Sequence, residues 1–180
     1  MRQYVIYLAG PDVFRPDAAA WGARLKAFCA ASGAIGLYPL DTVADRNDPD
    51  PAAIRAANLA MIARCDAVVA NITPFRGPSA DAGTIYELGY AAALDKLIVA
   101  YSADSSNDYA ARVAAQGGGA TAERDRDDML IETFDPPLTD NLMLACGVDA
   151  LLADAEMAIR SAVAMLDEND RQPAALLPRA

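Results

Sequence analysis

Four short apolar runs, each closed by turn residues, alternate in this chain with stretches whose apolar residues recur at helical spacing. Tyr4–Ala9 is β-branched and aromatic and stops at Gly10-Pro11, as a buried parallel strand does before a turn. From Asp17 to Ala31, Ala20, Trp21, Leu25, Phe28 and Cys29 fall on one helical face, with Gly33 as the stop. Ile35–Leu40 reads as a second strand. A helix then opens at Asp50-Pro51, with a carboxylate ahead of a proline at the first helical position, and runs to Arg64. Asp66–Ile72 is the third strand, a helix over Asp81–Leu94 follows the loop Thr73–Ser79, and Leu97–Tyr101 is the fourth strand. Such alternation dictates right-handed βαβ crossovers: an α/β fold with a parallel sheet, helices on both faces and three layers. Ligands of such sheets sit at the carboxyl ends of the strands. At 180 residues, 54% of them hydrophobic, the chain is expected to form one domain over 1–180.

The rhythm breaks at Ser102–Asp135, where Gly117–Gly119 and many Asp and Arg residues are expected to form a flexible loop, either a lid over the sheet edge or plain disorder. Beyond Pro136-Pro137 a short helix over Asn141–Ala145, an amphipathic helix over Ala153–Leu166 and a loose tail over 167–180 are expected.

Composition narrows the chemistry. The chain has no histidine, which excludes Ser-His and Cys-His nucleophile pairs, histidine bases and histidine-containing zinc sites. Cys29, Cys65 and Cys146 are far apart and form no CxxC, so no metal and no disulfide framework is expected. With 15 Lys and Arg against 25 Asp and Glu, the net charge of -10 disfavours nucleic acid as a partner. No apolar run approaches the ~20 residues that cross a bilayer, and the N-terminus has no signal-like run, so a cytoplasmic protein without a membrane partner is expected.

Neither GxGxxG nor GxxxxGK[ST] occurs, and Gly10-Pro11 alone is a strand-ending turn. The informative stretch is 71–94, NITPFRGPSADAGTIYELGYAAAL, where a Pro- and Gly-bounded loop delivers Asp81 at a helix start and Glu87 six residues later. Gly83, Thr84 and Gly89 are small enough for close approach of a ligand or a backbone. Asp81 reads either as a helix cap or as a functional carboxylate. Glu87, among Ile85, Tyr86, Leu88 and Tyr90, reads either as a surface charge or as a partly buried glutamate that needs a reason to be there. Tyr7 in the first strand is either a core residue or a hydroxyl within reach of a carboxylate. Phe14 either stacks on a planar ligand or plugs the sheet edge; Asn58 is an amide needing partners in an apolar setting; Asn141 is consistent with a helix cap.

At these residues the sequence resembles the nucleoside 2-deoxyribosyltransferase family, through IYLAGPDVF at 6–14, GLYPLD at 36–41, the block from Asn58 to Ala93, and NLML at 141–144. The resemblance implies a three-layer flavodoxin-like (Rossmann-like) domain that moves a 2-deoxyribosyl group between nucleobases through a covalent glycosyl-enzyme intermediate, without a cofactor. By position, Glu87 corresponds to the nucleophile, Tyr7 to the hydroxyl that orients it, and Asp81 to the carboxylate that holds sugar hydroxyls. Phe14 would lie by the base, with Gly10, Asn58, Gly83 and Met143 completing the substrate-binding set. Asn141 would reach a neighbouring subunit's sugar site, which implies a dimer-based homo-oligomer, with hexamers common in the family. The substrates implied are a deoxynucleoside and a free nucleobase.

One departure stands out. Many family members carry an aspartate where this chain has Asn58, and an amide cannot act as a general acid at neutral pH. Asp81, a water or an intrinsically good leaving base must then supply the proton, and the expectation shifts toward purines, whose ring nitrogens solvent can protonate. Two rivals remain: a 2-deoxynucleoside 5-monophosphate N-glycosidase, for which Arg15 and Arg76 speak and Asp12 in the first turn does not, and a nucleoside-binding module without turnover.

Overall fold

The computed structural model describes residues 2–42, 50–104, 108–116, 123–125 and 127–171. Its centre is a five-stranded parallel sheet of β1 (Val5–Ala9), β2 (Ile35–Leu37), β3 (Ala67–Asn71), β4 (Leu97–Tyr101) and β5 (Ala150–Leu152), in the order β2-β1-β3-β4-β5. This is the flavodoxin-like order, and the chain reverses its direction of winding between β1 and β3. The register sets Tyr7 opposite Val68, and Asn71 opposite Tyr101.

The period of two along each strand divides the core between two faces. Ile6, Leu8, Val69 and Val99 pack with Leu25 and Cys29 of α1 (Ala18–Ala31) and Ile159 of α6 (Ala155–Arg171). Tyr7, Ala9, Val68, Ala70 and Ile98 pack on the other side with Met61 and Ile62 of α2 (Pro51–Arg64) and Leu88 and Ala91 of α3 (Ala82–Ala93). The expected three layers are thus present, and α2 and α3 lie side by side over one face with their N-termini at the carboxyl edge of the sheet.

The second strand is shorter than the sequence suggests. It stops at Leu37, and Pro39–Thr42 forms a turn of 3-10 helix in which Asp41 Oδ2 accepts from the Tyr38 amide at 3.0 Å. Proline cannot donate to a ladder, so the pairing has to end there. The fifth strand is absent from the sequence reading because three residues in an alanine- and leucine-rich stretch carry no periodicity; pairing with β4 through Val99–Ala150 to Tyr101–Leu152 creates it.

The last helix starts at Ala155, behind Asp154, whose Oδ1 accepts from the Met157 amide at 2.8 Å. It continues to Arg171, well into the segment expected to be loose. The Tyr4 hydroxyl on β1 donates toward Asp167 Oδ1 at 3.0 Å and Asp170 Oδ2 at 2.9 Å, which ties that last turn to the sheet. Residues 172–180 of the expected tail lie outside the described residues. The 102–135 segment is also more ordered than expected. It contains α4 (Tyr109–Gln116), whose Arg112 is hydrogen-bonded through Nε to the Pro78 carbonyl at 2.8 Å, reaches the Thr139 carbonyl and forms an ion pair with Asp104 at 2.5 Å. Positions 105–107, 117–122 and 126 of the expected lid lie outside the described residues.

Candidate active site

Tyr7 lies in the middle of β1 with its side chain fully buried on the α2–α3 face, because an odd position on this strand must point there. Its hydroxyl donates to Glu87 Oε1 at 2.7 Å. The glutamate comes from the second turn of α3, a helix whose start is fixed by Asp81: its Oδ2 accepts from the Thr84 amide at 2.9 Å and from the Thr84 hydroxyl at 3.2 Å. From the facing helix α2, Asn58 Nδ2 donates to the same Glu87 Oε1 at 3.2 Å. Both donors therefore hold one carboxylate oxygen, and Oε2 has no hydrogen-bond partner among the described residues.

Burial raises the Glu87 pKa to about 7, and the nearby Asp81 charge pushes the same way, while the hydrogen bonds from Tyr7 and Asn58 pull against it. A carboxylate in such a place is poised between its two protonation states at neutral pH. The Tyr7 hydroxyl shifts upward, first through burial and then through the Glu87 charge, so it remains a donor.

Glu87 stands where two cavities meet. One, about 330 Å³, lies under the first turn and includes Gly10, Phe14, Leu40, Asp81 and Thr84; the other, about 480 Å³, opens between α2 and α3 and includes Pro51, Arg55, Leu59 and Tyr86. Ile54, Asn58, Gly83 and Glu87 border both. Gly10 has φ 146°, and a Cβ there would lie 2.7 Å from Asn71 Cβ, so the backbone of the first turn approaches β3 in a way a side chain would block. Phe14 is 57% exposed and stacks on Phe75 at 5.5 Å between ring centres, with the Arg76 guanidinium 4.9 Å from the Phe14 ring.

The structure thus brings Tyr7, Gly10, Phe14, Asn58, Asp81, Gly83 and Glu87 together. Asn141 and Met143 stand apart: they line a third cavity, about 350 Å³, with Ile85, Gly89 and Val148. Asn141 caps the short helix α5 (Leu142–Ala145) by accepting from the Met143 amide at 3.0 Å, and Met143 is 77% exposed. Asp12, which the sequence reading set against a phosphate ligand, is buried and engaged: Asn71 Nδ2 donates to it at 2.9 Å and the Tyr101 hydroxyl at 3.3 Å. Arg55 and Tyr86 escaped the sequence reading. Their guanidinium and hydroxyl are hydrogen-bonded at 2.6 Å on the rim of the larger cavity, and the signal available was the spacing of three residues that sets Arg55 on the face of Asn58 and Tyr86 on that of Gly83.

Comparison with known proteins adds an independent line. The profile of a family described as nucleoside 2-deoxyribosyltransferase matches residues 6–143. The fold is similar to that of a 2-desoxiribosyltransferase from Leishmania mexicana, with a TM-score of 0.72 and 34% identity over 89% of this chain and 97% of that one. A 2-deoxyribosyltransferase from Bacillus psychrosaccharolyticus shares the fold at 17% identity, with a TM-score of 0.56 over 85% of this chain and 88% of that one. An uncharacterized protein of Schizosaccharomyces pombe is 35% identical over 105 residues, 55% of this chain and 50% of its own; the chain spans about half the length of this curated relative.

Proposed function

Since the chain belongs to the nucleoside 2-deoxyribosyltransferase family, we propose that it transfers a 2-deoxyribosyl group from one nucleobase to another through an ester formed on Glu87. The observation that carries this reading is the arrangement of that carboxylate. Tyr7 and Asn58 both donate to Oε1, at 2.7 and 3.2 Å, while Oε2 has no hydrogen-bond partner among the described residues at the junction of two cavities.

In this reading Oε2 attacks the anomeric carbon, the bond to the base breaks, and the bond pair leaves with the base. Donation to Oε1 fixes the rotamer of the nucleophile and stabilises its ionised form. A 2-deoxy sugar lacks the electron-withdrawing 2-hydroxyl, so its oxocarbenium-like transition state forms readily. The neutral ester then persists until a second base attacks the same carbon and expels the carboxylate. In this reading Asp81, on the border of the smaller cavity, accepts from a sugar hydroxyl with the carboxylate oxygen not used by Thr84, and Phe14 flanks a base. Purines are the preferred bases on this reading, because solvent can protonate their ring nitrogens. The Asn141–Met143 segment does not border the Glu87 cavities, and we assign it to the site of a neighbouring subunit in a homo-oligomer.

The test is to incubate the protein with 2-deoxyinosine, with and without adenine, and to separate the products. The expected result is 2-deoxyadenosine only when adenine is present. Free base without transfer, or release of base from the 5-monophosphate alone, overturns the transferase in favour of a hydrolase; no product from any donor favours a binding module.

A further inference from the structure

Arg76 and Phe14 form a unit at the edge of the Glu87 site that the reaction outlined above leaves unused. The Arg76 guanidinium lies 4.6 Å from the Phe75 ring centre and 4.9 Å from that of Phe14, while the two rings, stacked within 11° of parallel, are 5.5 Å apart. It is nearer to each ring than the rings are to each other, so it sits against the flank of the stack and not beyond either end. Phe14 in turn borders the cavity of Gly10, Asp81 and Glu87, and 57% of it is exposed. A planar ligand laid on that ring brings its edge toward the guanidinium.

An exposed arginine ordinarily needs no explanation, but two features set this one apart. Its backbone takes φ 56°, a left-handed conformation that costs any residue with a side chain, although Gly77 beside it could adopt it freely. Its guanidinium also has aromatic contacts only: among the described residues no acceptor takes its N–H groups and no carboxylate pairs with it. Arg15, just past the first turn, is by contrast held by Asp17 at 2.9 Å.

The chemistry of the group names the edge it fits. A guanidinium offers donors alone, in a rigid fork that matches two neighbouring acceptors. In a 6-oxopurine, O6 and N7 are such a pair; in adenine the 6-amino group is itself a donor and opposes the fork. Resting on the Glu87 reading above, we propose that Arg76 is a specificity-determining residue that donates to O6 and N7 of a 6-oxopurine stacked on Phe14. Hypoxanthine and guanine nucleosides are then preferred over those of adenine. The contact leaves N3 and N9 to the proton that the departing base takes from solvent.

The probes are 2-deoxyinosine and 2-deoxyadenosine as donors, each with and without a 5-monophosphate, turned over by wild type, Arg76→Met and Arg76→Gly. Methionine keeps an apolar stem against the rings, and glycine takes φ 56° without strain, so a fold lost in one variant is retained in the other. Wild type should favour 2-deoxyinosine by about tenfold or more in kcat/KM, and either variant should bring the ratio to within about twofold of unity. Arg76→Lys, which keeps the charge and loses the fork, should restore little of it. Equal falls on both donors overturn the proposal, and a fall confined to the monophosphates overturns it in favour of a phosphate contact. Calorimetric titration of hypoxanthine and adenine into wild type and Arg76→Met reads the same preference without chemistry. A preference for hypoxanthine that the variant abolishes, with no turnover of any donor, overturns the Glu87 reading alone; turnover without any preference overturns the Arg76 role alone.

Discussion

Glu87→Gln should make the protein inactive and more stable, and the gain should depend on pH. The side chain keeps its shape, and its carbonyl oxygen can still accept from Tyr7 and Asn58. What disappears is the burden of a charge in a buried site. The folded protein holds the Glu87 proton up to about pH 7, whereas the unfolded chain releases it near 4.5. Between these values the native state binds more protons than the unfolded state, so stability falls as pH rises through that window. Working the linkage through, an ionised Glu87 costs the native state about 3 kcal/mol at pH 8 and under about 1 kcal/mol at pH 5. For a chain of this length each kcal/mol moves Tm by about 2–4 °C. The variant should therefore melt about 6–12 °C above wild type at pH 8 and within about 4 °C of it at pH 5, as read by calorimetry. Equal differences at the two pH values, or a variant less stable than wild type at pH 8, would refute the claim that Glu87 is a desolvated carboxylate held ready to ionise.

Other outcomes follow from the same geometry. With 7-methyl-2-deoxyguanosine, whose base needs no proton to leave, kcat/KM should rise with pH through about 7 as Glu87 ionises, and level off above it; a flat profile from pH 5 to 8 would count against Glu87 as nucleophile. Tyr7→Phe removes a donor from Oε1, so the same limb should move to higher pH and the rate at pH 7 fall by about tenfold or more, while Tm stays within a few degrees. Gly10→Ala should destabilise by about 1–3 kcal/mol in denaturant titration, because its Cβ meets Asn71 Cβ at 2.7 Å on a backbone with φ 146°. Arg112→Ala should speed hydrogen exchange around 78–80 and 139–141, since that guanidinium joins the Pro78 and Thr139 carbonyls; unchanged exchange there would show that the clasp holds nothing.

Much of the architecture was written locally. Asp50-Pro51 ahead of Ile54, Asn58, Met61 and Ile62 starts and faces α2 without help from the rest of the chain, and Leu97–Tyr101 is a strand in any context that buries both its faces. Likewise, Asp81 set before Gly83 and Thr84 dictates a cap, and the distance from that cap to Glu87 places the glutamate in the second turn of α3. The absence of histidine by itself confines acid-base chemistry to carboxylates, tyrosine, lysine and cysteine.

Contacts distant in sequence decided the rest. Ala150–Leu152 is a strand only because β4 offers it an edge, and α6 reaches Arg171 because Tyr4, more than 160 positions earlier, meets Asp167 and Asp170. The choice between a surface glutamate and a buried one could not be made from Ile85, Tyr86, Leu88 and Tyr90 alone, since these residues turn to different sides of one helix. The sheet decides it by carrying Tyr7 across 80 positions to within 2.7 Å of Glu87, with Asn58 arriving from the neighbouring helix. Sequence determines which residues cap, turn and face inward because those are contests between near neighbours. The protonation and aim of a carboxylate depend on the water excluded and the donors presented by separate elements, and only the packed fold brings these together.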